Sequence, residues 1–151
     1  AHVEASTSGS MILASLLLKL GSFGLFRVVQ MVTVYNAFSL FMFLGTVISS
    51  VFTTIQVDLK KLVAYSSVTH MTFLSAAGMT LNKSFMFMMI LFSLAHGWAS
   101  SGLFFLVGKS SNISNSRLGM LISTMSNLFW FYLVMGLILM SNSSVPPMPS
   151  F

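Results

Sequence analysis

The chain has 151 residues, 56% hydrophobic and only 6% charged, with a mean hydropathy of +0.92. A soluble domain carries about 25% charged residues, so the composition points to one membrane bundle and away from soluble domains. Seven Lys/Arg against Glu4 and Asp58 leave a net charge of +5, but the basic residues stand singly or in one pair, which argues against nucleic-acid binding.

Five hydrophobic segments are predicted, each long enough to be a helix and too long for a barrel strand of about 9–11 residues. The first covers about 8–30 and holds Lys19 and, near its far end, Arg27. The second covers about 36–56, opened by Asn36. The third covers about 58–80, with Asp58 expected as N-cap because its carboxylate can accept orphan N–H groups of the first turn. Only Gln56 and Val57 separate the second from the third, so the two form an antiparallel hairpin. The fourth covers about 84–108, and the polar KSSNISNSR run after it reads as a loop. The fifth covers about 117–142 and ends at Pro146, Pro147 and Pro149, which cannot continue a helix. That proline-rich break reads either as an ordinary helix end or as a membrane helix broken at depth, as transporters use to line an ion path. The predicted fold is therefore an all-α, polytopic transmembrane bundle of about five helices, forming a single membrane domain over 1–151.

Lys60 and Lys61 lie between the second and third segments, and Lys109 and Arg117 between the fourth and fifth. The opposite side has Arg27 and Lys83. The excess places the amino end and the Lys60 and Lys109 loops on the cytoplasmic or matrix side. The opening AHVEASTSGS lacks the pattern of a signal peptide. Both ends read as those of an internal piece of a longer chain.

Three ionisable side chains sit near the middle of otherwise apolar runs: Lys19, His70 and His96. At 1.5 Å per residue and a hydrocarbon core of roughly 30 Å, all three fall near the midplane. A charge there costs about 2.5 kcal/mol or more, so it is kept where a bundle interior, a partner or water receives it. Ser15 and Ser22 flank Lys19 at helical spacing, Ser66 and Ser67 flank His70, and Ser93 and Ser100 flank His96. Each hydroxyl can donate and accept, and so can support either protonation state or hold a water. Lys and His suit proton relay because burial lowers a lysine from its usual value near 10 and a histidine titrates near neutrality. Ser93, Gly97 and Ser101 form a small-residue stripe read as a close helix contact. No carboxylate lies at depth, so a complete relay needs acids from outside this chain. Without the missing helices, the polar stripe is expected to face an open side or a narrow cavity. With no cysteine and no HxxxH or HExxH spacing, no metal site is expected.

The motifs AHVEA, GSMILASLLLKLGSFG, QVDLKKLVAYSSVTHM, LAHGWASSGLFFLVG and SNSSVPPMPSF, in this order, resemble the subunit 4 family of mitochondrial NADH dehydrogenase. These are antiporter-like, proton-pumping membrane subunits of respiratory complex I. The resemblance implies that Lys19 is the central-axis lysine of the eighth helix. It implies that His70 and His96 continue a hydrated axis on the tenth and eleventh helices, and that Lys60 is a basic residue near the matrix side. It further implies a multi-pass protein of the mitochondrial inner membrane. Its partners would be the lipid bilayer and other complex I membrane subunits, including paralogous antiporter-like ones. No cofactor is implied in the chain; NADH and ubiquinone are used by the whole complex, to which the enzyme activity belongs. One departure is Ser6, where the family usually has proline. The competing readings are a subunit of a multisubunit cation/proton antiporter and a purely structural bundle whose polar residues only join helices.

Overall fold

The computed structural model describes residues 4–31, 36–79, 83–115, 118 and 129–142. Among them the chain is helical almost throughout, as a lipid-embedded chain must be, because a helix satisfies its backbone groups within one segment. The first segment is α1 (Thr7–Ile12), a π-helical turn (Leu13–Leu17) and α2 (Leu18–Met31) in succession. The hairpin is α3 (Asn36–Ile55) and α4 (Leu59–Gly78), followed by α5 (Lys83–Ser114) and α6 (Phe129–Asn142). No strand occurs among the described residues; Asp58 and Leu118 form an isolated antiparallel bridge.

Helix starts and stops have local causes. Ser6, where the resembling family has proline, is the N-cap of α1, and its hydroxyl accepts the Gly9 N–H at 3.2 Å. Asp58 holds the N-cap position of α4 with extended backbone (φ −77°, ψ 121°), but its carboxylate makes no capping bond. It pairs instead with Lys61 at 3.1 Å, which corrects the capping role expected for it. The α5 helix passes the expected stop at 108 and runs to Ser114. The polar run continues it because Ser110, Ser111 and Ser114 donate to the carbonyls of Val107, Gly108 and Ser110, each at 2.9 Å. Asn115 then turns to φ 51°, a left-handed conformation that asparagine tolerates and that ends a helix. At 32 residues α5 is about 48 Å long, more than a bilayer core, so one end projects beyond it. A helix from 117 is not what Leu118 adopts, since it pairs with Asp58. The three prolines lie outside the described residues.

The α5 helix is the centre of the bundle, with α1, the π-helical turn, α2, α4 and α6 all packed on it, while α3 packs chiefly on α4. Two apolar clusters hold these helices together. One comprises Ala14, Val63, Leu103, Phe104 and Val107, joined by Met135 and Ile138 of α6. The other comprises Phe26, Leu74 and Met89. The amino end, the α3–α4 connection and the far end of α5 lie together. There Lys60 Nζ donates to the Ala5 carbonyl at 2.6 Å, Thr7 packs over Gly108, and Asp58 meets Leu118.

Candidate functional site

The first segment and α4 each contribute one buried residue to each apolar cluster, α5 contributes Leu103, Phe104 and Val107 to one and Met89 to the other, and each of the three carries its ionisable side chain between them. Lys19 lies between Ala14 and Phe26, His70 between Val63 and Leu74, and His96 between Met89 and Leu103. The cluster residues are separated by roughly 16–21 Å along each helix at 1.5 Å per residue, so the polar groups form a waist with apolar packing above and below.

The waist is closed at two of its three residues. Lys19 is 5% exposed and His96 2% exposed, and His70 is half-buried. Of the two surroundings expected for this stripe, an open side or a narrow cavity, the open side fails for Lys19 and His96. The helices of this chain cover them, because a glycine lets two of the helices approach. A Cβ at Gly97 would lie 2.9 Å from Lys19 Cε and 3.5 Å from the Ser15 carbonyl oxygen. Gly97 is thus the socket in which the lysine stem rests, and a side chain there would push it out. Within the small-residue stripe, Gly97 is the position of close approach, and what approaches it is the lysine.

The two histidine rings lie 4.9 Å apart between centroids, tilted by 34°. Asn142, the last residue of α6, stands beside both. His96 Nδ1–H donates to Asn142 Oδ1 at 2.7 Å, and Asn142 Nδ2 donates to His70 Nε2 at 3.4 Å. Lys19 Nζ and His96 Nε2 are buried and have no hydrogen-bond partner among the described residues. A buried polar group left unpaired costs about 1–3 kcal/mol, and more when charged, so these two atoms are the unusual feature of the bundle.

The serines behave differently from what spacing implied. Ser22 donates to Lys19 O at 2.8 Å, Ser66 to Val63 O at 2.9 Å and Ser67 to Ala64 O at 2.7 Å. Ser93 donates to Ile90 O at 2.8 Å and Ser100 to Gly97 O at 3.2 Å. Their protons are engaged with their own helices, which leaves each hydroxyl able only to accept. Ser15 is half-buried and reaches the site through its backbone carbonyl. Its alignment with Lys19 also crosses the π-helical turn, which widens the repeat and shifts the phase of α2 relative to α1. Lys60 does not join the waist. It is ten residues, about 15 Å, before His70 on the same helix, buried at the bundle end.

Sequence reasoning missed Asn142, the π-helical turn and the lysine socket. Asn142 was legible only as part of the polar SNSS run after an apolar stretch. A side-chain amide at the very end of an apolar helix is the signal that could have marked it.

Beside the waist, the α1–α2 segment, α3 and α4 border a cavity of about 490 Å³, lined among others by Leu17, Leu25, Met42 and Met71. Ser22, Ser67, Thr72 and Ser75 also line it, but each donates to its own helix, so the wall is effectively apolar.

All of the chain, residues 1–151, matches the family described as NADH:quinone oxidoreductase/Mrp antiporter, transmembrane. It is 41% identical over 157 residues to the NADH-ubiquinone oxidoreductase chain 4 of Caenorhabditis elegans, which covers 100% of this chain and 38% of that protein. It is 40% identical over 166 residues to the chain 4 of Marchantia polymorpha, covering 100% of this chain and 32% of the relative. The Locusta migratoria protein of that name is 40% identical over 158 residues, covering 97% and 34%. The chain spans about a third of the length of these curated relatives. Three helices among the described residues are long and apolar enough to cross a bilayer. The all-α bundle, its apolar spans and the match along the entire length agree: this is a multi-pass membrane protein, and the chain belongs to the NADH:quinone oxidoreductase/Mrp antiporter transmembrane family.

Proposed function

We propose that the chain is part of a proton-translocating membrane subunit of respiratory NADH:ubiquinone oxidoreductase in the mitochondrial inner membrane. Lys19, His96 and His70 form a stretch of its mid-membrane proton path. The observation that carries this reading is the pair of buried nitrogens, Lys19 Nζ and His96 Nε2, that have no hydrogen-bond partner among the described residues and are held between two apolar clusters. A residue that only joins helices is expected to spend its polar atoms on a neighbouring segment, as Lys60 does on the Ala5 carbonyl. Lys19 does not, although an unpaired charge at this depth is costly. Such a group suits a site where a proton arrives and leaves.

The chain's role is proton movement alone. NADH and ubiquinone are handled elsewhere in the complex, and no redox group is assigned to these helices. The only acids here are Glu4 and Asp58, so the carboxylates that would drive Lys19 between protonation states come from the rest of the subunit or from its neighbours. Those neighbours are other membrane subunits of the complex, including paralogous antiporter-like ones. The relatives are named NADH-ubiquinone oxidoreductase chain 4, which favours this reading over a cation/proton antiporter.

The test is Lys19→Ala in the full-length subunit of the assembled complex. Proton translocation coupled to quinone reduction is expected to fall strongly while assembly is kept. The double change His70→Leu with His96→Leu should cost more than either single change, because it removes both polar waypoints. Near-normal pumping in an assembled Lys19→Ala complex overturns the relay reading.

A further inference from the structure

Asn142 is the one buried side chain of α6 among the described residues, and it is polar. While Met135 and Ile138 of the same helix pack half-buried on the first apolar cluster, the amide is the most deeply buried group. It reaches two imidazoles on two other helices, His96 of α5 and His70 of α4. A primary amide offers an oxygen that only accepts and a nitrogen that only donates. The ring nitrogen facing the oxygen must therefore carry a hydrogen, and the ring nitrogen facing the NH2 must present a lone pair.

We propose that Asn142 is a positioning residue of the proton path, which holds His70 and His96 in complementary states so that only one of them is charged at a time. The inference rests on the proton-path reading of these residues. In the arrangement observed, His96 Nδ1 carries the hydrogen, which leaves Nε2, the buried and unpartnered nitrogen, free to bind a proton. His70 is held neutral at the same time, because its Nε2 must accept from the amide. Turning the amide by about 180° exchanges oxygen and nitrogen and reverses both roles. His70 Nε2–H then donates to the oxygen, and His96 Nδ1 accepts from the NH2. Each orientation satisfies one imidazolium and one neutral ring. Two imidazoliums would turn an N–H against the NH2 group, with the rings only 4.9 Å apart. The amide itself gains and loses no proton. As it turns, the N–H bond at His96 Nδ1 breaks and one forms at His70 Nε2, so a single proton passes from one ring to the other and the charge of the pair is unchanged. Among the described residues, the charged group acting on both rings is Lys19 of α2, while α3 and α6 bring no titratable side chain to the pair.

The experiment uses the full-length subunit in the assembled complex, with Asn142→Leu, Asn142→Gln and Asn142→Asp. The readouts are complex assembly, protons moved per NADH oxidised as a function of pH, and isotope-edited infrared bands of the histidine rings. Asn142→Leu is expected to lower the proton yield several-fold. Asn142→Gln, which keeps donor and acceptor, should restore much of it. Asn142→Asp offers acceptors to both rings and so favours two imidazoliums; the histidine bands should then titrate about one pH unit or more higher. If Asn142→Leu impairs assembly, the Gln rescue and the Asp shift still decide. Wild-type yield and pH profile in Asn142→Leu, or histidine bands unmoved in Asn142→Asp, overturn the inference. Lys19→Ala separates the two readings: lost pumping there, with normal pumping in Asn142→Leu, removes only the role of Asn142, whereas normal pumping in Lys19→Ala removes the path itself.

Discussion

The α3 and α5 helices are nearly equally apolar and have opposite surroundings. About half of α5 is buried inside the bundle, whereas Thr46 alone is buried among the described side chains of α3. The hydrophobic effect does not sort them, since lipid tails are as apolar as leucine. Helices associate in a bilayer where small residues allow close approach and polar groups find partners. The α5 helix has Ser93, His96, Gly97, Ala99 and Ser100 on its buried side, and Trp98 outside. The α3 helix carries Phe41, Phe43, Leu44 and Phe52, all exposed, and its Thr46, Ser49, Ser50 and Thr53 hydroxyls are bonded to its own carbonyls. Ser93 and Ser100 also bond to their own helix, so the difference lies in His96, which reaches Asn142 of α6, and in Gly97, which admits the Lys19 stem.

Large-to-small changes give the sharpest contrast. Phe104 on α5 is 1% exposed and Phe41 on α3 is 71% exposed. Phe104→Ala should destabilise the full-length subunit by about 3 kcal/mol through the cavity it leaves, while Phe41→Ala should change stability by less than about 0.5 kcal/mol. Unfolding in mixed micelles measures both, and equal effects would break the comparison. A lysine moved to the lipid side is the next test. Val47→Lys on exposed α3 should raise the cost of membrane insertion by about 2.5–3 kcal/mol, read as the inserted fraction in a translocation assay. Insertion as efficient as that of the parent would mean α3 is covered by protein.

The glycines sharpen the contrast further. Gly97→Ala places a methyl 2.9 Å from Lys19 Cε, and Gly45→Ala on α3 meets nothing within 4 Å. The first should cost about 1–3 kcal/mol from overpacking and lower proton yield in the assembled complex; the second should be neutral or slightly stabilising. A Gly97→Ala complex with full proton yield would show that the lysine does not need its socket. The smallest effect belongs to the exposed pair at the hairpin: Lys61→Ala removes the 3.1 Å contact with Asp58 and should shift stability by less than about 1 kcal/mol, a difference that salt erases.

Composition and run length determined the all-α membrane bundle, because covering roughly 30 Å of hydrocarbon with satisfied backbone leaves few alternatives to helices of about 20 apolar residues. The three mid-depth residues were legible for the same reason, since Lys19, His70 and His96 interrupt runs that tolerate no idle charge. The family was legible from motifs in fixed order. Helix ends were less so, because serines that bond to their own helix carry α5 through a stretch that looks like a loop. Helical spacing grouped serines with each ionisable residue but could not show that the protons of Ser22, Ser66, Ser67, Ser93 and Ser100 were already engaged with their own helices. Tertiary structure alone decided that Gly97 cradles Lys19, that α5 rather than the equally apolar α3 is central, and that Asn142, 46 residues from His96 and 72 from His70, bridges the two rings. Periodicity reports which residues share a face of one helix. It carries nothing about which face of another helix will meet it, and a proton path through a bundle is made of those meetings.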